Sequence, residues 1–140
     1  MKTYIFSSVL FIMTLFAHTD IQAQQVDSSK NNYVVLTKKI PQLQPIILTA
    51  QALKAEEGND FGQFKVIICG RNIGDITNPE KMKNFIGEAE KAGVELIACG
   101  FSMNKFKVDK SKIPNKINTV ENGILHNFQL QKQGYKSLSL

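Results

Sequence analysis

The sequence has few of the residues that metal centres and acid–base active sites require. Its 140 residues include two cysteines, two histidines and no tryptophan. Cys69 and Cys99 are far apart in the chain and no Cys-x-x-Cys pair occurs, so neither a zinc site nor a thioredoxin-type motif is supported. No Ser–His–acid combination and no evident pair of catalytic carboxylates is present. The sequence therefore predicts no metal and no cofactor.

The chain also lacks a concentrated run of charge. Its formal net charge is +5, but the lysines are spread along the chain and no basic run is interleaved with aromatic residues. A nucleic-acid-binding protein usually carries such a basic stripe. Binding of nucleic acid is therefore not predicted, and the sequence contains no internal repeat or low-complexity tract.

The N-terminus has the order of segments that is typical of an export signal. A positive start, MK, is followed by the apolar run TYIFSSVLFIMTLFA and by a more polar stretch ending at Ala23. The run is shorter than the ~20 apolar residues of a membrane span. We predict a signal peptide over residues 1–23, with an uncleaved anchor as the alternative. The protein would then be periplasmic or secreted, without a stable membrane anchor after cleavage. Residues 24–30 are predicted to be a disordered leader and residues 31–140 one domain.

Strands and helices alternate along this domain. Short apolar and β-branched runs predict five strands, over residues 32–37, 63–69, 94–99, 117–120 and 135–140. Apolar residues at helical spacing predict the helices between them, within 41–58, 77–93, 101–106 and 122–134. Near-continuous apolar strands joined by helices imply a parallel sheet covered on both faces. We therefore predict a three-layer α/β/α sandwich with a mainly parallel five-stranded sheet.

Two of these helices give more detailed predictions. Thr77 or Asn78 is expected to cap the second helix, and Gly93 is expected to end it. Three large apolar side chains of the last helix are expected to face the core: Ile124, Leu125 and Phe128. His126 is then expected to face solvent.

Cys99 is the residue whose position most favours chemistry. It ends the third strand, and in open α/β sheets ligands and reactions gather at the carboxyl ends of strands. A helix that begins just after it would lower the pKa of the thiol and populate the thiolate, as would some of the lysines that follow: Lys105, Lys107, Lys110 and Lys112. Gly100 has no side chain and would let a partner approach the sulfur. This interpretation requires a sulfur that is open at the rim of the sheet.

Two simpler interpretations of Cys99 stay open. Free cysteine is among the residues most often buried, so Cys99 can be a packed core residue. Cys69 also ends a strand, and two cysteines of an exported protein often form a disulfide. Such a bond is possible if the two strand ends are neighbours. Arg71, in the loop after Cys69, could bind an anion, but a surface position is the simpler interpretation.

The order of these elements resembles a known family. The stretches AGVELIACGFSM, KVDKSKIPNKINTVENGI and QKQGYKSLSL are similar to the corresponding parts of the DsrE/DsrF-like (YchN-like) sulfur-relay proteins, and the resemblance extends from about Tyr33 to the C-terminus. In sulfur-relay members of that family, a cysteine at this strand end carries sulfur as a persulfide and passes it to the thiol of a partner protein. The resemblance implies this role for Cys99 and implies no role for Cys69.

The resemblance also implies an assembly. Family members typically form trimers or hexamers with the cysteines near subunit interfaces, so a homo-oligomer is expected. The functional hypothesis is a sulfur carrier or sulfurtransferase that uses a Cys99 persulfide. The alternative is a non-catalytic oligomeric binding or assembly module of the same fold, in which Cys99 is structural.

Overall fold

A computed structural model of the chain describes residues 29–140. The predicted signal peptide, residues 1–23, and most of the predicted leader lie outside the described residues. Among the residues described, no helix combines the length and apolar character needed to cross a membrane.

Five strands form one sheet in the order β4-β3-β2-β1-β5. The strands are β1 (Asn31–Thr37), β2 (Phe61–Ile68), β3 (Val94–Cys99), β4 (Ile117–Val120) and β5 (Lys136–Ser139). Every pairing between them is parallel. The central strands β2 and β3 are buried along most of their length, as expected for a sheet covered on both faces. The prediction of a mainly parallel five-stranded sheet is confirmed.

The connections decide which helix covers which face. The α-helices are α1 (Leu43–Glu57), α2 (Pro79–Ala92), α3 (Gly100–Lys105) and α4 (Gly123–Lys132). The steps from β1 through β4 all run in one direction across the sheet. Because parallel crossovers are right-handed, these steps place α1, α2 and α3 on one face. The return from β4 to β5 places α4 on the other face, where it packs over β1, β2 and β3.

The face under α1 and α2 is a close-packed apolar core. The two helices contact each other and the central strands, and Ile47 and Met82 are fully buried there. The side chain of Asn78 accepts the backbone N–H of Lys81 at 3.1 Å, and Gly93 ends α2 with a φ of 74°. Both end signals predicted for this helix are confirmed.

The orientation predicted for α4 is wrong. The three large apolar side chains expected in the core are more than half exposed: Ile124 at 58%, Leu125 at 55% and Phe128 at 57%. The helix turns Gly123, Asn127 and Leu130 towards the sheet instead. Asn127 is satisfied there because its side-chain oxygen accepts the hydroxyl of Ser137 at 2.8 Å. Of the apolar side chains of α4, this face of the sheet therefore buries Leu130, together with Gly123 and Asn127, and leaves the predicted three outside.

Polar groups continue along this face towards the amino ends of the strands. The ammonium of Lys65 lies 3.0 Å from the carboxylate of Glu95, which also accepts the side-chain amide of Asn118 at 2.8 Å. His126, predicted to face solvent, is half-buried. Burial and the charge of Lys65 lower the pKa of this imidazole. The solvent-facing prediction is therefore wrong for His126.

Candidate functional site

The two cysteines lie side by side at the carboxyl edge of the sheet. Ile68 of β2 is the register partner of Ala98 of β3. The residues that follow them are Cys69, just after β2, and Cys99, the last residue of β3. Both line one cavity. Both are free thiols, so the disulfide considered from the sequence is not formed in this structure.

The first turn of α4 lies directly over both cysteines. The backbone N–H of Gly123 donates to the sulfur of Cys99 at 3.2 Å. A Cβ atom at Gly123 would lie 2.7 Å from the sulfur of Cys69 and 3.1 Å from the Cβ of Cys99. Only glycine lets the helix approach this closely. Asn122 caps the same turn by accepting the N–H groups of Ile124 and Leu125, which leaves the N–H of Gly123 for the sulfur.

Several groups set the charge of Cys99. Burial raises the pKa of its thiol, but hydrogen bonds from the side chain and backbone of Ser102, from the Gly123 N–H and from the Cys69 thiol outweigh burial and lower the pKa. The Ser102 hydroxyl oxygen accepts the N–H of Gly70 at 3.0 Å, which leaves the hydroxyl proton for the sulfur of Cys99. Cys99 is therefore the cysteine that ionises first.

Cys69 has the opposite character. Burial, the neighbouring charge of Cys99 and the hydrogen bond to Cys99 raise the pKa of Cys69 to about 12, while the charge of Lys38 opposes the increase. Cys69 thus stays a thiol and donates its proton to the Cys99 sulfur. The two thiols therefore differ in acidity, since the pKa of Cys99 is lowered and that of Cys69 is raised.

A cavity of about 440 Å³ opens over the two sulfurs. Its base is formed by buried residues that include Cys69, Cys99 and Ser102, and its mouth by exposed cationic and apolar side chains. The mouth residues are Lys38, Lys105, Phe101, Phe106 and Ile124. An anionic sulfur species bound here would therefore meet positive charge at the entrance and apolar surface around it.

The expectation that the Cys99 sulfur stands open at the rim is wrong. Only 2% of Cys99 and 5% of Cys69 is exposed. The two cysteines are covered because α4 begins directly over the strand ends, and Gly123 permits this because it has no side chain. Access to the sulfur is through the cavity that it lines, rather than from an open edge.

The positive charge around the site comes from one of the predicted lysines and from a second lysine that was not predicted. Of the four lysines predicted to follow Cys99 closely, Lys105 is the one that lines the cavity, whereas Lys112 lies 3.6 Å from the carboxylate of Asp109. Lys38 also lines the cavity, and the sequence interpretation missed it. Lys38 could have been identified from its position just after β1, because the carboxyl ends of all strands of a parallel sheet lie at the same edge. Arg71 is exposed, which agrees with the simpler interpretation of that residue.

Gly100 does not open the approach predicted for it. A Cβ atom there would lie 2.9 Å from the carbonyl oxygen of Val120 and 3.1 Å from that of Glu121. The space beside Gly100 is therefore occupied by the backbone of Val120 and Glu121. The N–H of Phe101 donates to the Glu121 carbonyl at 2.7 Å. This contact ties the start of α3 to the turn before α4 and fixes Gly123 over the sulfurs. Within residues 29–140, no group of His, Cys, Asp or Glu side chains is arranged to hold a metal ion.

Comparison with known proteins supports the fold and leaves the activity open. No family model and no curated protein matches the chain. The chain is similar to a solved protein of unknown function from Methanobacterium thermoautotrophicum, at 13% identity and a TM-score of 0.66, over 79% of this chain and 99% of the other. A conserved protein of unknown function from Bacteroides thetaiotaomicron is similar at 21% identity and a TM-score of 0.63, over 82% of this chain and 99% of the other. At these identities the likeness shows the α/β fold alone.

Proposed function

We propose that the protein is a sulfur carrier, or persulfide sulfurtransferase, that uses Cys99 as its nucleophile. The observation that carries the proposal is the donation of the Gly123 N–H to the Cys99 sulfur at 3.2 Å, at the base of a cavity. An N–H at the start of a ten-residue helix stabilises negative charge on the sulfur. The resemblance to the DsrE/DsrF-like proteins gives the same role to the same residue.

The proposed reaction is a pair of exchanges at sulfur. The Cys99 thiolate attacks the outer sulfur of a donor persulfide, R–S–SH, forming Cys99–S–SH and releasing the donor as its thiolate, R–S⁻. An acceptor thiolate then attacks the outer sulfur of the Cys99 persulfide and restores the Cys99 thiolate. Each step forms one S–S bond and breaks one, so neither an oxidant nor a cofactor is needed.

The cavity suits the anionic intermediate of this reaction. Lys38 and Lys105 line it, and their ammonium groups favour the persulfide anion over the neutral, protonated persulfide. Its volume of about 440 Å³ leaves space for an additional sulfur atom beside Cys99. The thiol of a donor or acceptor would enter through the mouth of this cavity.

Sulfur uptake tests the proposal. Glutathione persulfide is added to the purified Cys69→Ser protein, which lacks the neighbouring thiol, and the intact mass is measured. We expect a gain of one sulfur atom, and no gain in the Cys69→Ser/Cys99→Ser double variant. Equal mass gains for the two proteins after treatment would overturn the proposal.

A second candidate function is a non-catalytic oligomeric binding or assembly module in which Cys99 is structural. The 2% exposure of Cys99 favours it, as do the exposed apolar side chains of α4. Native thiol alkylation separates the two candidates. Alkylation of Cys99 at neutral pH supports the carrier, whereas a folded protein with two unreactive thiols supports the module.

We also propose a homo-oligomer, a trimer or hexamer, formed through the exposed apolar side chains of α4: Ile124, Leu125 and Phe128. These three adjacent groups leave the kind of apolar patch that is usually covered by a partner. Light scattering of the purified protein should give a multiple of the chain mass, and Phe128→Glu should lower it. A monomer for the unmodified protein would contradict this part of the proposal.

The location of the protein follows from the proposed signal peptide over residues 1–23. We propose export to the periplasm or the medium, where a persulfide donor or acceptor would also have to be present. Recovery of a processed protein from that compartment, with an N-terminus after Ala23, is the expected result. An intact N-terminus on a protein that stays inside the cell would contradict it.

A further inference from the structure

The proposed carrier reaction does not use Cys69, yet the structure places this thiol beside the sulfur that would be loaded. The two cysteines follow register partners on adjacent parallel strands, which lie ~4.8 Å apart. Disulfides join Cα atoms about 4.4–6.8 Å apart, so this arrangement is compatible with a bond. The Cys69 thiol already hydrogen-bonds to the Cys99 sulfur, so little movement is needed to form it.

Both sulfurs also share one environment. Gly123 lies over the two cysteines together, and both line the same cavity. A persulfide formed on Cys99 would therefore have the Cys69 sulfur next to its inner sulfur atom. No other cysteine exists in the chain, so any intramolecular attack on a Cys99 persulfide must come from Cys69.

We propose that Cys69 resolves the Cys99 persulfide, so that the protein reduces sulfane sulfur to hydrogen sulfide. This inference rests on the proposed function, since it requires Cys99 to accept sulfur first. Cys69 then acts as a second reacting residue, and the pair cycles between two thiols and a disulfide. The substrate class is a low-molecular-weight or protein persulfide.

The step balances without an outside oxidant. The Cys69 sulfur attacks the inner sulfur of Cys99–S–S⁻, the bond between the inner and outer sulfurs breaks, and the Cys69–Cys99 disulfide forms. The proton of the Cys69 thiol moves to the leaving sulfur, which departs as HS⁻. The two cysteine sulfurs are oxidised by two electrons in total, and the sulfane sulfur is reduced by two. A further turnover requires an external dithiol, which is oxidised to its own disulfide as it restores both cysteines.

The different character of the two thiols fits this order of events. Cys99 ionises more readily and attacks the donor first. Cys69 keeps its proton beside a charged Cys99, so a proton is in place for the sulfide that leaves. When Cys99 is loaded, the negative charge moves to the outer sulfur, away from Cys69, and the repulsion that Cys99 exerts on the attacking Cys69 sulfur is reduced.

Three readouts on matched variants test the inference. The reduced protein is freed of reductant and mixed with one equivalent of glutathione persulfide. Sulfide is trapped with monobromobimane against a protein-free blank, the intact mass is measured, and peptides are mapped without reduction. The same measurements are made on Cys69→Ser, Cys69→Ala and Cys99→Ser. Two replacements at position 69 guard against one of them failing to fold.

The expected result has three parts. The unmodified protein releases about one sulfide per chain and acquires a Cys69–Cys99 disulfide, which dithiothreitol reverses. Both Cys69 variants keep the extra sulfur on Cys99 and release sulfide at least about tenfold more slowly, and Cys99→Ser does neither.

Two different failures can be told apart. If the unmodified protein keeps a stable persulfide and forms no disulfide, or if the Cys69 variants release sulfide equally fast, the resolving role is wrong while the carrier proposal stands. If neither Cys69 variant gains sulfur, the carrier proposal itself fails, and this inference fails with it.

Discussion

The two faces of the sheet are built from the same strands but are covered in different ways. On one face α1 and α2 bury large apolar side chains such as Ile47 and Met82 completely. On the other face α4 places Gly123 and Asn127 against the sheet, over two cysteines and near the Lys65–Glu95 pair. The first face holds the fold together, and the second keeps polar and reactive groups at the sheet surface. We therefore expect substitutions under α1 and α2 to affect mainly stability, and substitutions beside the sulfurs to affect reactivity as well.

The largest effect is expected on the apolar face. Met82→Ala removes a fully buried side chain and should lower the free energy of unfolding by about 2–5 kcal/mol. Lys132→Ala, at an exposed position of α4 outside the apolar patch, should change it by no more than ~0.5 kcal/mol. Urea unfolding of both variants measures the contrast. Similar losses for the two variants would show that the faces do not differ in this way.

Replacing a glycine by alanine adds one methyl group, and this change can be made in a helix on each face of the sheet. Gly123→Ala places a carbon 2.7 Å from both the Cys69 sulfur and the Cγ2 atom of Ile67, and such overpacking should cost about 1–3 kcal/mol. Gly87→Ala in α2 meets no atom within 4 Å, so it should stabilise the protein by roughly 0.5–1 kcal/mol through helix propensity. Thermal unfolding of the two variants shows whether each one is destabilised or stabilised. A stabilising Gly123→Ala would contradict the close packing of α4 on the sheet.

A smaller effect is expected at Ser102, whose hydroxyl helps to lower the pKa of Cys99. Ser102→Ala should move the alkylation profile of Cys99 to higher pH. It should also slow alkylation at neutral pH by roughly fivefold, because the loss of a hydrogen bond worth about 1 kcal/mol lowers the thiolate population by that factor. Ser137→Ala is the matched control, because that hydroxyl donates to Asn127 instead. An unchanged profile in Ser102→Ala would show that this hydroxyl does not lower the pKa of Cys99.

The smallest effect concerns His126 on the α4 face. Burial, followed by the charge of Lys65, lowers its pKa below the ordinary 6.5, so the folded protein binds fewer protons there than the unfolded chain does. The stability contributed by this group is therefore present above pH 6.5 and is lost as the pH falls through the folded-state pKa. Urea unfolding from about pH 7 to pH 5 should show a shallower decline in His126→Gln than in the unmodified protein. Equal declines would contradict the assignment.

The sequence predicted the elements well because their signals are local. Asn78 and Gly93 mark the ends of α2 through their own backbone preferences, and the strand VELIAC ends at Cys99 as expected. The orientation of α4 was not predictable in the same way. Ile124, Leu125 and Phe128 form an apolar group that favours the core, and the contact that decides against it is the one between Gly123 and the sulfurs.

The site was predictable in part for a related reason. The position of Cys99 at a strand end follows from the alternation of strands and helices. Its burial does not, because it depends on where α4 begins relative to β3. The roles of Ser102 and Lys38 depend on contacts with Gly70 and Cys69, which are close in space and distant from them in the chain.

The pH profile of native alkylation tests whether Cys99 is a cavity-lining thiol that ionises before its neighbour Cys69. The folded protein is treated with iodoacetamide over a range of pH, and each modified cysteine is located by peptide mapping. We expect Cys99 to react through the cavity, with a pH midpoint below the ordinary thiol value of 9.0. We expect Cys69 to stay unreactive until the pH is close to its pKa of about 12. A Cys99 that reacts only when the protein unfolds, or no earlier in pH than Cys69, would contradict this account.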